Sequence, residues 1–277
     1  MRILIATLAI GIFVVPSRAQ DASPERLAAA AKKVRHIIGH RGSCADRPEN
    51  TLASYRRAMQ AGATMMEMDV RRTKDDVLVS LHDADVKRTT NGNGLVRDLH
   101  FADLRKLDAG SWFDAKYKDE RVPTLREILE LGKGKIDVLL DLQEKTDEYA
   151  HLIAAEVRKS GELKRIWLGV RSLDHARAYR KLLPEAKQIA LIPTPDSIDA
   201  FAEAKVDMIR LWPKWLSDKT LIPRVRHHKV LLHLNGTFGA EDETRSLLMH
   251  EPDSIASDDP ARLVATLKKF AQTPGRK

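Results

Sequence analysis

Short apolar runs alternate with stretches of helical spacing along almost the whole chain. The strand-like runs are Val34–Gly39, Thr64–Arg71, Val77–His82, Ile136–Leu142, Ile166–Val170, Ile189–Ile192, Met208–Trp212, Val230–Leu234 and Ser254–Ala256. Between and after them lie helical stretches, such as Leu52–Ala61, which ends at Gly62, and Leu125–Leu131, which ends at Gly132. Glycine is a natural helix stop because it adopts the left-handed conformation at no steric cost. Repeated βα units place parallel strands under a layer of helices. Eight or nine such strands predict an α/β fold of the (β/α)8 TIM-barrel type, with an open doubly wound sheet as the alternative. Residues 83–122, which contain "TTNGNG" and "GSWFDAKY", break the alternation and read as an inserted segment after the third strand. There is no low-complexity segment, linker or internal repeat.

A chain of 277 residues suits one such domain, assigned here to 34–277. Residues 20–33 are polar and Ala-rich and read as a tail or frayed helix. Ahead of them, Met1-Arg2, the apolar run Ile3–Val15 and the small residues Ser17 and Ala19 form the pattern of a signal peptide, residues 1–19. That run is too short to span a bilayer comfortably. The expected location is secreted or periplasmic, without stable membrane insertion. The formal charge of +8 falls to +6 once Arg2 and Arg18 are removed. Its cations are interleaved with acids, so no nucleic-acid-binding arm is expected, while an anionic substrate is favoured. Cys44 is the single cysteine, which excludes an intrachain disulfide.

Candidate chemistry sits at strand ends. In "TMMEMDVRRT" the alternation of a strand puts Glu67 and Asp69 on one face and Met66, Met68 and Val70 on the other. Taken alone, the pair reads either as a solvated acidic face on an edge strand or as a barrel-interior site that needs a cation, for which hard oxygen ligands suit Mg²⁺ or Ca²⁺. The next run ends in His82-Asp83, and the first ends in His40-Arg41. Barrel enzymes gather reactive groups on the rim at the C-terminal ends of their strands. In "IDVLLDLQEK", Asp141 shares a face with Leu139 and Gln143, leaving Glu144 on the other face or beyond the strand. Asp141 is therefore the expected third metal ligand.

The stretch 39–98, with its ordered HRG…PENT, E-x-D, H-D and R-T-T-x-G-x-G motifs, resembles the glycerophosphodiester phosphodiesterase family. The likeness thins but continues through Asp141, "LGVRSLD" and "SIASDDP". It implies a TIM barrel with a segment inserted after the third strand, and metal-dependent hydrolysis of small-molecule phosphodiesters to glycerol phosphate and an alcohol. It also implies that His40 and His82 are the catalytic pair, that Glu67, Asp69 and Asp141 hold one divalent cation, and that Arg41 contacts phosphate. Three departures stand out. The family's E-x-K reads Asp141-Leu142-Gln143, removing a positive charge; its W-T-V-N reads Leu232–Asn235, without the Trp; and its D-G turn reads Asp75-Asp76.

Glu49, Gln143 and His233 complete the expected substrate-binding set with Arg41. Glu49 and Asn50 are expected to brace the site, Glu49 through Arg41 or substrate hydroxyls. Trp212 and Trp215 suit either the pocket wall or packing. A phospholipase D-like activity on lysophospholipid or sphingomyelin, which would require a longer apolar groove, and a non-catalytic phosphodiester-binding barrel are the rival readings. The leader yields a direct expectation: exported protein begins after Ala19, and N-terminal sequencing that finds Met1 on it contradicts the assignment.

Overall fold

A computed structural model describes residues 23–272. The expected signal peptide, 1–19, lies outside the described residues. The strands are β1 (His36–Gly39), β2 (Met65–Arg72), β3 (Leu78–Ser80), β4 (Asp137–Leu142), β5 (Ile166–Val170), β6 (Lys187–Ala190), β7 (Met208–Leu211), β8 (Leu231–Thr237) and β9 (Ser254–Ser257). Eight of them form a parallel barrel in the order β1-β2-β4-β5-β6-β7-β8-β9, closed by the pairing of β9 with β1. The TIM-barrel expectation holds.

The third strand departs from it. β3 runs antiparallel to β2, with Val70 opposite Ser80 and Arg72 opposite Leu78. It is a hairpin arm beside the barrel and not a barrel strand. The hairpin turns at Asp76, whose φ of 63° is the left-handed conformation expected where the family has Gly. Residues 83–122 therefore follow the hairpin arm within the connection from β2 to β4, the second and third barrel strands. They carry a short helix, Phe101–Leu104, and bury Val86, Val96, Leu104, Ala109 and Val122 against Val79 and Leu81 of the hairpin arm.

Strand alternation sorts the apolar side chains into two layers. Ile38, Met65, Leu139, Trp167, Ile189 and Met208 fill the barrel interior. Met66, Met68, Val70, Val138 and Leu140 face outward into the helix layer. The helices are held at their ends. Thr51 caps Leu52–Ala61 through the Ser54 N–H, and Gly62 closes it at φ 88°. Thr124 and Glu127 form a capping box on Leu125–Gly132. The expected tail is an ordered helix, Pro24–Lys33, whose Leu27, Ala30 and Ala31 join the same outer core as Leu263 and Leu267 of the last helix.

His233 does not reach the rim. It points into the barrel interior, 3 % exposed, with Nδ1 2.9 Å from Ser254 Oγ. The reason is parity: on β8 it shares the inward face with Leu231, one layer below Asn235, so the expected substrate contact has no geometric basis. Burial, aided by the nearby Arg210 cation, pushes its pKa down to about 3. The unfolded chain therefore binds a proton below about pH 6.5 that the folded chain refuses until about pH 3. Stability at neutral pH is unaffected by this group and falls as pH drops through that window. Urea unfolding between pH 6 and 4 should show a slope shallower by about 1.4 kcal/mol per pH unit in His233→Gln than in the parent. Equal slopes would show that His233 is not held neutral.

Candidate active site

The rim at the C-terminal ends of the strands carries the chemistry. Glu67 and Asp69 point inward from β2, buried, as their parity requires. The parallel register sets Asp141 of β4 beside Asp69. Carboxylate oxygens of Glu67, Asp69 and Asp141 lie within 4.8 Å of one another. Glu144 is elsewhere: its Oε1 accepts the Arg72 backbone N–H at 3.1 Å.

Each carboxylate is aimed by a donor. Glu67 Oε2 accepts the Arg41 backbone N–H at 2.7 Å. Asp69 accepts the side-chain amides of Asn50 at 2.9 Å and Gln143 at 2.8 Å. Arg171 Nη2 sits 2.6 Å from both oxygens of Asp141. Burial, then the neighbouring Asp69 charge, lifts Glu67 to a pKa of about 8. Burial also raises Asp141, with Arg171 opposing. Three acids converging on one point, two of them made reluctant to ionise by burial, fit a hard divalent cation, which favours the charged forms. Arg171 would then share Asp141 with the ion.

Two histidines face the same cavity of about 400 Å³, whose lining includes His40, Arg41, Asp69, His82 and Asp141. Each donates or shares its Nδ1 proton with an acid: His40 with Asp258 at 2.7 Å, and His82 with Asp83 at 2.8 Å. Nε2 is then the atom left for chemistry on both rings. Burial works against a charged His40, but the Asp258 hydrogen bond and the Glu67 charge outweigh it and raise its pKa.

The loop after β1 is shaped by strained backbone. Arg41 has φ 52° and Asn50 φ 57°, and a Cβ on Gly42 would collide with Ser54. The turn is what sends the Arg41 N–H to Glu67 and its guanidinium sideways. Arg41 Nη1 bonds Glu49 Oε1 at 2.9 Å. Arg88 clasps both Glu49 oxygens at 2.8 Å and reaches Asp83 at 2.7 Å. The hydrogen bonds therefore run unbroken from Arg41 through Glu49, Arg88 and Asp83 to His82. Arg71 fixes the next link by donating to the His82 carbonyl, 2.9 Å from Nε. Asn50 Oδ1 accepts the Tyr55 and Ser80 hydroxyls, both at 2.7 Å, tying the first loop to the hairpin arm.

The expected residues His40, Arg41, Asp69, His82 and Asp141 thus meet in one cavity, with Glu67 buried among their carboxylates. Glu49 and Gln143 stand behind them and hold Arg41 and Asp69. Asp258, Arg88, Arg171, Arg210 and Asn235 join the site without a local pattern that assigns them a role. The first three lie in "SIASDDP", R-T-T and "LGVRSLD", motifs that mark the family but not these side chains' partners. Arg210 had one signal, a charged residue inside the apolar strand β7.

The profile of the "Glycerophosphoryl diester phosphodiesterase family" matches residues 40–209. A glycerophosphodiester phosphodiesterase of Caldanaerobacter subterraneus subsp. tengcongensis is 32% identical over 243 residues, which cover 84% of this chain and 98% of that protein. One of Bacillus subtilis is 31% identical over 71% of this chain and 74% of that protein. The crystal structure of a glycerophosphodiester phosphodiesterase from Agrobacterium tumefaciens superposes with a TM-score of 0.73 at 28% identity, covering 83% of this chain and 99% of that one. An Oleispira antarctica phosphodiesterase in complex with the product sn-glycerol-3-phosphate shares the fold at a TM-score of 0.74 and 24% identity, over 86% of this chain and 99% of that one. With a family profile spanning residues 40–209 and a 32% identical relative aligned over 98% of its length, the chain belongs to the glycerophosphoryl diester phosphodiesterase family and is a phosphoric diester hydrolase.

Proposed function

We propose that the cavity hydrolyses glycerophosphodiesters to glycerol phosphate and an alcohol, with His40 and His82 as the acid–base pair and one Mg²⁺ or Ca²⁺ held by Glu67, Asp69 and Asp141. The observation that carries the reading is the pairing of two carboxylate-anchored histidines with three convergent acids at a single cavity. The product bound to the Oleispira antarctica relative, sn-glycerol-3-phosphate, is a half of such a substrate. The apolar leader supports export as the setting.

Anchoring Nδ1 on a carboxylate fixes each ring and favours a proton on that nitrogen, so Nε2 can accept one. One histidine takes the proton of the attacking hydroxyl, and the other returns a proton to the leaving alkoxide oxygen. The acids Asp258 and Asp83 stabilise whichever ring is charged at that moment. Arg41, anchored through Nη1 on Glu49, presents its remaining N–H groups to a phosphoryl oxygen. When bound, the cation neutralises phosphoryl charge and lowers the pKa of a coordinated hydroxyl group. A lysolipid or sphingomyelin reading is less favoured because the cavity wall is lined by charged and polar groups, with Trp212 its one large apolar side chain.

Release of glycerol phosphate from a glycerophosphodiester should therefore vanish on exhaustive chelation and return when Mg²⁺ or Ca²⁺ is added. Full activity in metal-free protein, verified by elemental analysis, would remove the cation from the mechanism. His40→Ala and His82→Ala should each lower kcat about 10²–10⁴-fold with the circular dichroism unchanged. Near-parental turnover in either variant would take that histidine out of proton transfer. Asp141→Asn should raise the metal concentration needed for half-activity far more than Glu144→Gln, whose partner is Arg72. The reverse order would move the third ligand to Glu144.

A further inference from the structure

Three buried polar atoms of residues on the cavity wall lack a hydrogen-bond partner. They are Nε of Arg41, which still has Asp69 Oδ2 at 3.5 Å, Nε of Arg210 and Oδ1 of Asn235. Arg210 projects from β7 and is only 9 % exposed. Among the described residues it forms no ion pair within 4.0 Å, and its guanidinium lies over the Trp212 ring at 4.0 Å. Burying a cation that no acid bonds directly is costly: burial drives its pKa down to about 10, with the more distant Asp141 and Glu67 charges opposing. A fold gains nothing from such a group, so the missing anion is expected from outside.

The other cations nearby are already matched. Arg171 is spent on Asp141, and Arg41 on Glu49. Position 143, where the resemblance leads one to expect Lys, holds Gln143, whose amide is turned to Asp69. Arg210 therefore stands as the cation on the wall with no acid bonded to it among the described residues, reaching the cavity from β7 instead of β4.

The same inventory bears on the alcohol half of the substrate. A quaternary or primary ammonium needs a free carboxylate or an open aromatic face. Asp258 is occupied by His40 and Asp141 by Arg171, and the Trp212 ring already carries Arg210. The unpartnered Asn235 oxygen, in contrast, calls for a donor, and beside the Arg210 cation a neutral O–H meets that need without the like-charge repulsion an ammonium would suffer.

We infer that Arg210 binds a phosphoryl oxygen of the substrate and that the Arg210–Trp212 stack, with Asn235, selects diesters whose alcohol is an uncharged polyol over those ending in an ammonium group. The inference rests on the reading of this cavity as a glycerophosphodiester hydrolase and adds its substrate class.

The test compares kcat and KM on glycerophosphoglycerol, glycerophosphocholine and glycerophosphoethanolamine for the parent, Arg210→Met, Arg210→Lys and Asn235→Asp. The parent should favour glycerophosphoglycerol by at least about ten-fold in kcat/KM, the worth of one well-made hydrogen bond to a charged or buried group. Arg210→Met should raise KM for all three by about ten-fold or more with a smaller change in kcat, and Arg210→Lys should restore part of it. Its melting temperature should not fall, since an unpaired buried charge is replaced by a methionine of similar length. Asn235→Asp keeps the shape, adds a negative charge, and should move preference toward the choline ester. A parent that prefers the choline or ethanolamine ester, or an unchanged KM in folded Arg210→Met, overturns the inference while leaving hydrolysis intact. No turnover of any of the three esters by the metal-loaded parent would instead overturn the functional reading beneath it.

Discussion

Three carboxylates held within 4.8 Å of one another are the arrangement around which the rim is organised. Like charges held this close repel, and burial favours the protonated forms of Glu67 and Asp141. Glu67, Asp69 and Asp141 are kept in place by a collar of donors: the Arg41 backbone, Asn50, Gln143 and Arg171. Those donors come from the first loop, from β4 and from the end of β5, so keeping the acids together draws several barrel segments into register. A divalent cation at the point where they converge would complete the balance of charge that the donors begin.

The histidines are set by a second network built on the first. Arg41 gives its backbone N–H to Glu67 and its side chain to Glu49, which requires the left-handed turn at Arg41 and Gly42. Strain of this kind persists only where surrounding contacts over-determine it. Here the contacts pass on through Arg88 to Asp83 and so to His82. His40 is oriented from the other side by Asp258, which follows β9, the strand that closes the barrel against β1. The two rings are thus fixed from opposite ends of the chain, yet open into one cavity.

The hairpin arm shows how a correct residue can be reached by an incomplete route. His82 was expected at the end of a parallel barrel strand, where reactive groups collect. It arrives on an antiparallel strand that folds back along β2 after a turn at Asp76. Both routes bring His82 to the rim, because β2 extends past the barrel and its hairpin returns toward the same end. Local pattern marks a strand but carries no direction; direction comes from which edge is free to pair.

Alternation along β2 and β4 was enough to assign Glu67, Asp69 and Asp141 to one inner face and the methionines to the helix layer, because side-chain period in a strand is a local property. The βα rhythm was likewise enough for the barrel, and the ordered motifs of residues 39–98 for the family. Tertiary structure alone decided the rest. Parity cannot say how deep along the barrel a side chain lies, which is why His233 proved to be interior packing and not part of the rim. Nor can it say which distant residues meet once the sheet closes. Asp258, Arg171, Arg210 and Asn235 lie far from one another in the chain, and only the closed barrel, by bringing successive strand ends around a common axis, turns them into neighbours of His40 and Asp141.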